Sequence, residues 1–330
     1  MNLLYGFDNQ KKYVFNNFKN ETLSNSIIFY GQKGIGKKTF IFNILNEIIS
    51  LKSNNNNHDL NLIKNNIHPN IMYVAKEYDN KLKKYKNYIN IDQIRNLNKF
   101  INESSFDGSN KFIVIDSGDD LNINAANSIL KFLEEPRKNT FFFLISHQLS
   151  SLLPTIRSRC VKLKFDNHDY EDFKAILLNN IETNTDDDIK FLYDLSNGSP
   201  GIGLEIQNED IIEIYDEIID SLSNTSVSSN IINFSIKISN YDNEKFKIFL
   251  LILKFILINI KKIKLGASVD NKYLSSNISS LKNINDKISL TSVYKKLEYL
   301  INNENDLFTY NLDKKIFVLN FFTNTNNHYE

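Results

Sequence analysis

Ile27-Ile28-Phe29-Tyr30-Gly31-Gln32-Lys33-Gly34-Ile35-Gly36-Lys37-Lys38-Thr39 is the stretch that decides the fold. Four consecutive apolar residues read as a buried strand, and Ile41, Ile44, Leu45 and Ile48 then recur at helical spacing. Between them, Gly31, Gly34 and Gly36 let the backbone curl so that amide hydrogens and a helix N-terminus face an anion. This is the layout of a phosphate-binding loop, with Lys37 placed to reach the terminal phosphates. A working loop continues with Ser or Thr, whose hydroxyl holds magnesium. Here Lys38 follows, and Thr39 comes one place late, turned by ~100° around the helix.

The other half of such a site is an apolar strand ending in Asp-Glu. Lys111-Phe112-Ile113-Val114-Ile115-Asp116 supplies the strand and the aspartate, but Ser117 follows and cannot serve as a carboxylate base. Two requirements for hydrolysis therefore fail together. The glycines, Lys37 and Asp116 are compatible both with a fossil turn and with residual ATP or ADP binding.

Working outward, Ile71–Ala75, Phe112–Ile115 and Phe141–Ile145 are further buried-strand candidates, and Val161 to Phe165 alternates as a half-exposed strand does. Ile123, Ala126, Leu130 and Leu133 define a helix face that should stop before Pro136. Strands alternating with helices predict a parallel sheet covered on both faces. Beyond about residue 168 the periodicity is helical, with Gly198-Ser199-Pro200-Gly201 as punctuation and a Ser/Asn-rich linker over Ser221–Asn230. Stripes are expected at Leu290, Val293, Leu297 and Leu300, and at Leu312, Ile316 and Leu319. The layout predicts an α/β domain over 1–167, a small helical lid over 168–207 and an all-helical domain over 208–330. Ile248 to Ile260, interrupted by Lys254 and Asn259, is too short for a membrane span and reads as a buried helix.

The 330 residues carry no formal net charge, so no global field draws the chain to nucleic acid or membrane. The single cysteine, Cys160, leaves no disulfide framework and no four-cysteine zinc site, and Ser53 to Asn57 is a polar loop. Met1 to Gly6 has neither a basic nor an apolar leader region, which predicts a cytoplasmic protein. Among many lysines only four arginines occur, Arg95, Arg137, Arg157 and Arg159, two of them almost adjacent. A scarce arginine marks a place where a planar fork does what an ammonium cannot.

Several strings, in order, carry a resemblance. They are His68-Pro69 before the second strand, Ile91-Asp92-Gln93-Ile94-Arg95 opening a helix, Ala125 to Pro136 (AANSILKFLEEP) and Leu152 to Cys160 (LLPTIRSRC). Together they resemble the AAA+ clamp-loader family, and within it the delta-prime branch of bacterial DNA polymerase III. The resemblance implies an AAA+ RecA-like domain, a lid and a C-terminal collar that joins partner subunits. It implies that Arg159 is an arginine finger acting in trans on a neighbour's ATP site; Arg157, two residues earlier, is expected to face the other side. Asn127 and Lys131 would face DNA or a neighbour, and Ser146 lies near the first sensor position. His147 reads as a satisfied loop residue. Where active members carry a lid arginine this chain has Gly201, and the family's cysteine-bound zinc module is absent, so neither a metal nor a required cofactor is expected.

The implied function is a non-hydrolysing scaffold. Its partners would be motor subunits of the tau/gamma type and the delta subunit, with the sliding clamp and primer-template DNA met through the complex and no membrane involved. The rival reading, an active tau/gamma-type motor ATPase, requires Ser or Thr after Lys37, Glu after Asp116 and a lid arginine. Lys38, Ser117 and Gly201 stand there instead.

Overall fold

The structure is a computed structural model, and it describes residues 5–51, 61–63, 65, 67–81, 83–102, 110–180, 185–207, 211–223, 229–267, 284 and 287–323. The loop expected over Ser53 to Asn57 lies outside the described residues. The chain divides into two compact units, Met1–Ile176 with Ser199–Gly201, and Leu177–Gly198 with Ile202–Glu330.

In the first unit, β1 (Ser26–Tyr30), β2 (Ile71–Ala75), β5 (Lys111–Asp116), β6 (Thr140–Ser146) and β7 (Val161–Lys164) form one sheet in the order β2-β5-β6-β1-β7. Every pairing in it is parallel. A small antiparallel hairpin, β3 (Tyr78–Asp79) and β4 (Lys84–Tyr85), stands apart. Parallel strands need both faces covered, which explains their near-continuous apolar runs. On one face lie α1 (Asp8–Lys19) and α2 (Lys37–Ser50), closing a core that includes Phe29, Phe40, Phe143 and Phe165. On the other, α3 (Ile91–Asn102), α4 (Ile123–Glu134) and α5 (Pro154–Arg159) close a core around Ile28, Ile113, Ile129, Phe142 and Leu144. The expected doubly covered parallel sheet is the one observed.

Local chemistry sets the boundaries. The Asn122 side chain caps α4 by accepting the Ala125 amide at 2.8 Å, and the helix ends at Glu134, two residues before Pro136. Ile123 is the first residue of α4 and is 72 % exposed. The buried face is instead Ala125, Ala126, Ile129 and Leu133, so the expected stripe was misphased at its start. Residues 154–159 are helical rather than alternating, because Pro154 has the backbone angle that suits a first helical turn.

The remaining elements are helices: α6 (Tyr170–Leu178), α7 (Asp186–Ser196), α8 (Pro200–Ile206), α9 (Ile211–Ser223), α10 (Ser229–Ser239), α11 (Asn243–Lys264), α12 (Leu290–Thr309) and α13 (Lys314–Thr323). The expected linker over Ser221–Asn230 is narrower, since Ser221 to Ser223 finish α9 and Ser229 opens α10. As expected, the apolar run from Ile248 to Ile260 is one helix with most of its residues buried. Among the described residues no helix is long and apolar enough to cross a membrane. On α13 the buried face is Phe317, Val318, Phe321 and Phe322, while Leu312 and Ile316 are exposed. Paired aromatics four residues apart bury more surface than the expected stripe and set the helix's rotation. Phe322 meets Phe234 edge-on at 5.6 Å, and Phe317 meets Phe246 at 6.3 Å.

Lys296 is buried on α12, where its ammonium donates to the Phe321 carbonyl at 2.7 Å and lies over the Phe321 ring. Desolvation lowers its pKa to about 8. The unfolded value is near 10.4, so between roughly pH 8 and 10 the unfolded chain holds more protons and stability rises with pH. Relative to Lys296→Met, the wild type should gain stability on the order of 3 kcal/mol across that window in urea unfolding. A pH-independent difference would show that this ammonium folds without desolvation.

Candidate functional site

The loop joining β1 to α2 is the centre of the site. Gly31 sits where a Cβ would lie 2.2 Å from the Phe165 carbonyl oxygen, so only glycine fits. Each carbonyl of the loop meets a donor. The Lys37 ammonium donates to the Gly31 and Gln32 carbonyls, both at 2.6 Å. The Ser199 hydroxyl donates to the Lys33 carbonyl at 2.7 Å, and the Gly201 amide to that of Gly34 at 2.9 Å. His168 Nε2 lies 2.9 Å from the Ile35 oxygen, which requires Nε2 to carry the proton, and the Phe40 amide takes the Gly36 carbonyl at 2.8 Å. Carbonyls turned away from the anion are what a phosphate loop needs. Lys37, however, is buried and spends its donors on the loop itself, and burial lowers its pKa to about 8 against the raising influence of Asp119 and Asp116.

The parallel register brings Asp116, at the end of β5, opposite Ile145 on β6, while Tyr30 on β1 faces Ser146. A metal at this site would be bound between the residue after Lys37 and Asp116. Lys38 holds that position. Its ammonium donates to the Tyr73 hydroxyl at 2.8 Å and lies 4.0 Å from Asp116 Oδ2, and Tyr73 donates to the same carboxylate oxygen at 2.6 Å. Burial, then the bond to Asp116, raises the Tyr73 phenol far above its usual range. The carboxylate thus has a fixed cation and a phenol donor of its own, and the residues present do not fit a magnesium ion. Thr39 lies one position farther along α2, and no hydrogen bond of its hydroxyl links it to Asp116 among the described residues.

Beyond Asp116 the polar groups bond one another. Ser117 is buried and donates to Asp120 at 2.9 Å. Asp119 accepts from Ser146 Oγ at 2.9 Å, from the His147 amide at 2.5 Å and from Ser151 Oγ. The first-sensor neighbour Ser146 is therefore tied to a carboxylate of its own chain. His147 was expected to be satisfied. Its amide is, but Nδ1 is buried without a partner among the described residues, and burial followed by repulsion from Lys37 lowers its pKa.

Arg159 ends α5, and its side chain is 35 % exposed. The guanidinium folds back, with Nη2 2.7 Å from Glu134 Oε1 and Nη1 donating to the Thr155 carbonyl at 3.0 Å. Arg157, two residues earlier on the helix, is turned by about 200° and buries its Nε without a partner among the described residues. Asn127 and Lys131 are exposed. Burial raises the Cys160 thiol to about 12, so it is held as the thiol.

Sequence reading missed Tyr73, His168 and Ser199. Nothing local marks Tyr73 as the partner of an aspartate 43 positions away.

Residues 7–169 match the family model described as "DNA polymerase III, delta subunit". Among curated proteins, the DNA polymerase III subunit delta' of Pseudomonas aeruginosa is 47% identical over 74 residues, 22% of this chain and 23% of that one. The Bacillus subtilis subunit delta' is 31% identical over 158 residues, 47% of this chain and 46% of its own length. That of Escherichia coli is 32% identical over 145 residues, covering 44% and 41%. The chain thus spans less than half the length of these relatives. Over residues 7–169 the chain is similar to this family, and to its members named subunit delta' in particular.

The backbone contact at Gly201 is testable. A Cβ there would lie 2.8 Å from both Cα and O of Gly34. Gly201→Ala should therefore cost about 1–3 kcal/mol in urea unfolding, as overpacking does. An unchanged midpoint would mean that the loop yields at no cost.

Proposed function

We propose that this chain is the delta-prime subunit of a DNA polymerase III clamp loader, that it hydrolyses no ATP itself, and that it lends Arg159 to the ATP site of an adjacent motor subunit of the tau/gamma type. One observation carries the first half: the Lys38 ammonium and Tyr73 hydroxyl engage Asp116 where a motor would hold magnesium. Ser117, bonded to Asp120, adds no base. ATP or ADP binding would be residual, and no zinc is required.

The arginine role rests on exchangeability. Arg159 pairs with Glu134 at the surface, and exposed pairs of this kind are worth about 0–1 kcal/mol. A neighbour's terminal phosphate is a stronger, bidentate acceptor for the fork, and arginines supplied in trans accelerate phosphoryl transfer by about 10³–10⁵. In this reading the delta subunit and the motors share a ring with this chain. The sliding clamp and primer-template DNA are met through that complex in the cytoplasm, and the C-terminal helices form the collar contact.

The purified full chain should release no phosphate from ATP, with or without DNA. Turnover that vanishes in Lys37→Ala would mean a live motor site and end this reading. In the loader assembled with its motor subunits, Arg159→Ala should lower ATP turnover at that interface about 10³-fold. Gel filtration should show unchanged assembly. Arg159→Lys should restore little, lacking the planar fork, and Arg157→Ala should keep activity. Full turnover in Arg159→Ala would remove the finger and leave a scaffold alone.

A further inference from the structure

The β3–β4 hairpin has no part in the reading above. It is short and exposed, with Tyr78 opposite Tyr85 and Asp79 opposite Lys84. The two rings meet edge-on at 5.2 Å, yet Tyr78 remains 49 % exposed, Tyr85 64 % and Tyr88, just beyond, 44 %. Residues 76–88 contain five lysines and two carboxylates. Lys76 pairs with Asp120 at 2.9 Å and Lys86 with Glu77 at 2.6 Å, and Asp79 turns its carboxylate to the Lys81 amide at 2.8 Å. Lys81, Lys83 and Lys84, all exposed, are left without a carboxylate partner among the described residues. In a chain with no net charge this is a local, unneutralised positive tip.

A cross-strand pair accounts for Tyr78 and Tyr85 lying together. It does not account for the solvent-facing area of three aromatic rings beside three free ammoniums. Aromatic faces interleaved with cations fit a ligand that alternates flat apolar rings with anions. Single-stranded nucleic acid has that chemistry: its bases stack on aromatic side chains and its phosphates pair with lysines. In a duplex the same bases are stacked on each other and unavailable. We propose that this hairpin is a binding site for single-stranded nucleic acid, with Tyr85 and Tyr78 stacking bases and Lys81, Lys83 and Lys84 meeting phosphates. The proposal stands apart from the arginine-finger reading, and neither depends on the other.

The test is fluorescence anisotropy of the full chain with a labelled oligo-dT of about 20 nucleotides, beside oligo-U and a duplex of equal length. Single strands should bind more tightly than the duplex. Replacing Lys81, Lys83 and Lys84 together by Ala should lower the slope of log Kd against log salt by about 2, since each phosphate on a single strand contributes about 0.7. Tyr85→Ala should weaken binding roughly fivefold to a hundredfold, while Tyr85→Phe, which keeps the ring and the hairpin pair, should bind as wild type does. Preference for dT or for U would assign the sugar and support the site in either case. Duplex binding as tight as single-strand binding, or affinity untouched by the triple substitution, would overturn it.

Discussion

The first unit depends on how one tight loop disposes of its carbonyl groups. A bend of six residues between a buried strand and a helix cannot bond to itself as either element does, and buried backbone groups left unpaired are costly. From Gly31 to Gly36 every carbonyl meets a donor, and the donors come from Lys37, Phe40, His168, Ser199 and Gly201. Three of these, His168, Ser199 and Gly201, belong to chain more than 130 positions away. The loop is therefore a junction that ties β1 to the segment after β7 and to Ser199–Gly201.

That junction constrains the chemistry beside it. Lys37, the residue that would reach a terminal phosphate, is held by two carbonyls and desolvated. Next to it, Lys38 completes a chain from ammonium to phenol to carboxylate. Charge-assisted bonds of this kind are strong in partly buried surroundings. A divalent ion would have to displace a cation already placed by the backbone. Lys38 and Ser117, the residues that depart from a working site, are thus each bonded within the chain, Lys38 to Tyr73 and Ser117 to Asp120.

Much of this was legible in the sequence, for identifiable reasons. The strands of the sheet, the phosphate-type turn and the stop of α4 near Pro136 follow from short-range signals: apolar runs, glycine spacing and proline sterics. The phase of helix faces was less secure. Ile123 sits at the solvent-facing start of α4, and on α13 two aromatic pairs outweigh the Leu312–Ile316 pattern. Lys296 was missed although it lies three residues after Val293 and four before Leu300, on the buried face by spacing alone. Its chemistry argued against burial, and the Phe321 carbonyl that accepts it comes from another helix. Tyr73, His168 and Ser199 were invisible for the same reason, because their partners are distant in the chain.

The persistence of a phosphate-type loop in a site that does not fit magnesium then has a physical explanation. Ser199, His168 and Lys37 are buried, and each spends its donor on the loop. Reshaping the turn would orphan several buried polar groups at once, at about 1–3 kcal/mol apiece. A side chain on Gly201 would meet the Gly34 backbone, and one on Gly31 the Phe165 carbonyl. The glycines and Lys37 therefore have a structural part in the turn whether or not an anion binds there. Lys38 and Ser117 are less constrained, because their side chains bond to Tyr73 and Asp120 and not to the loop carbonyls. Those two positions can vary while the frame around them has to remain.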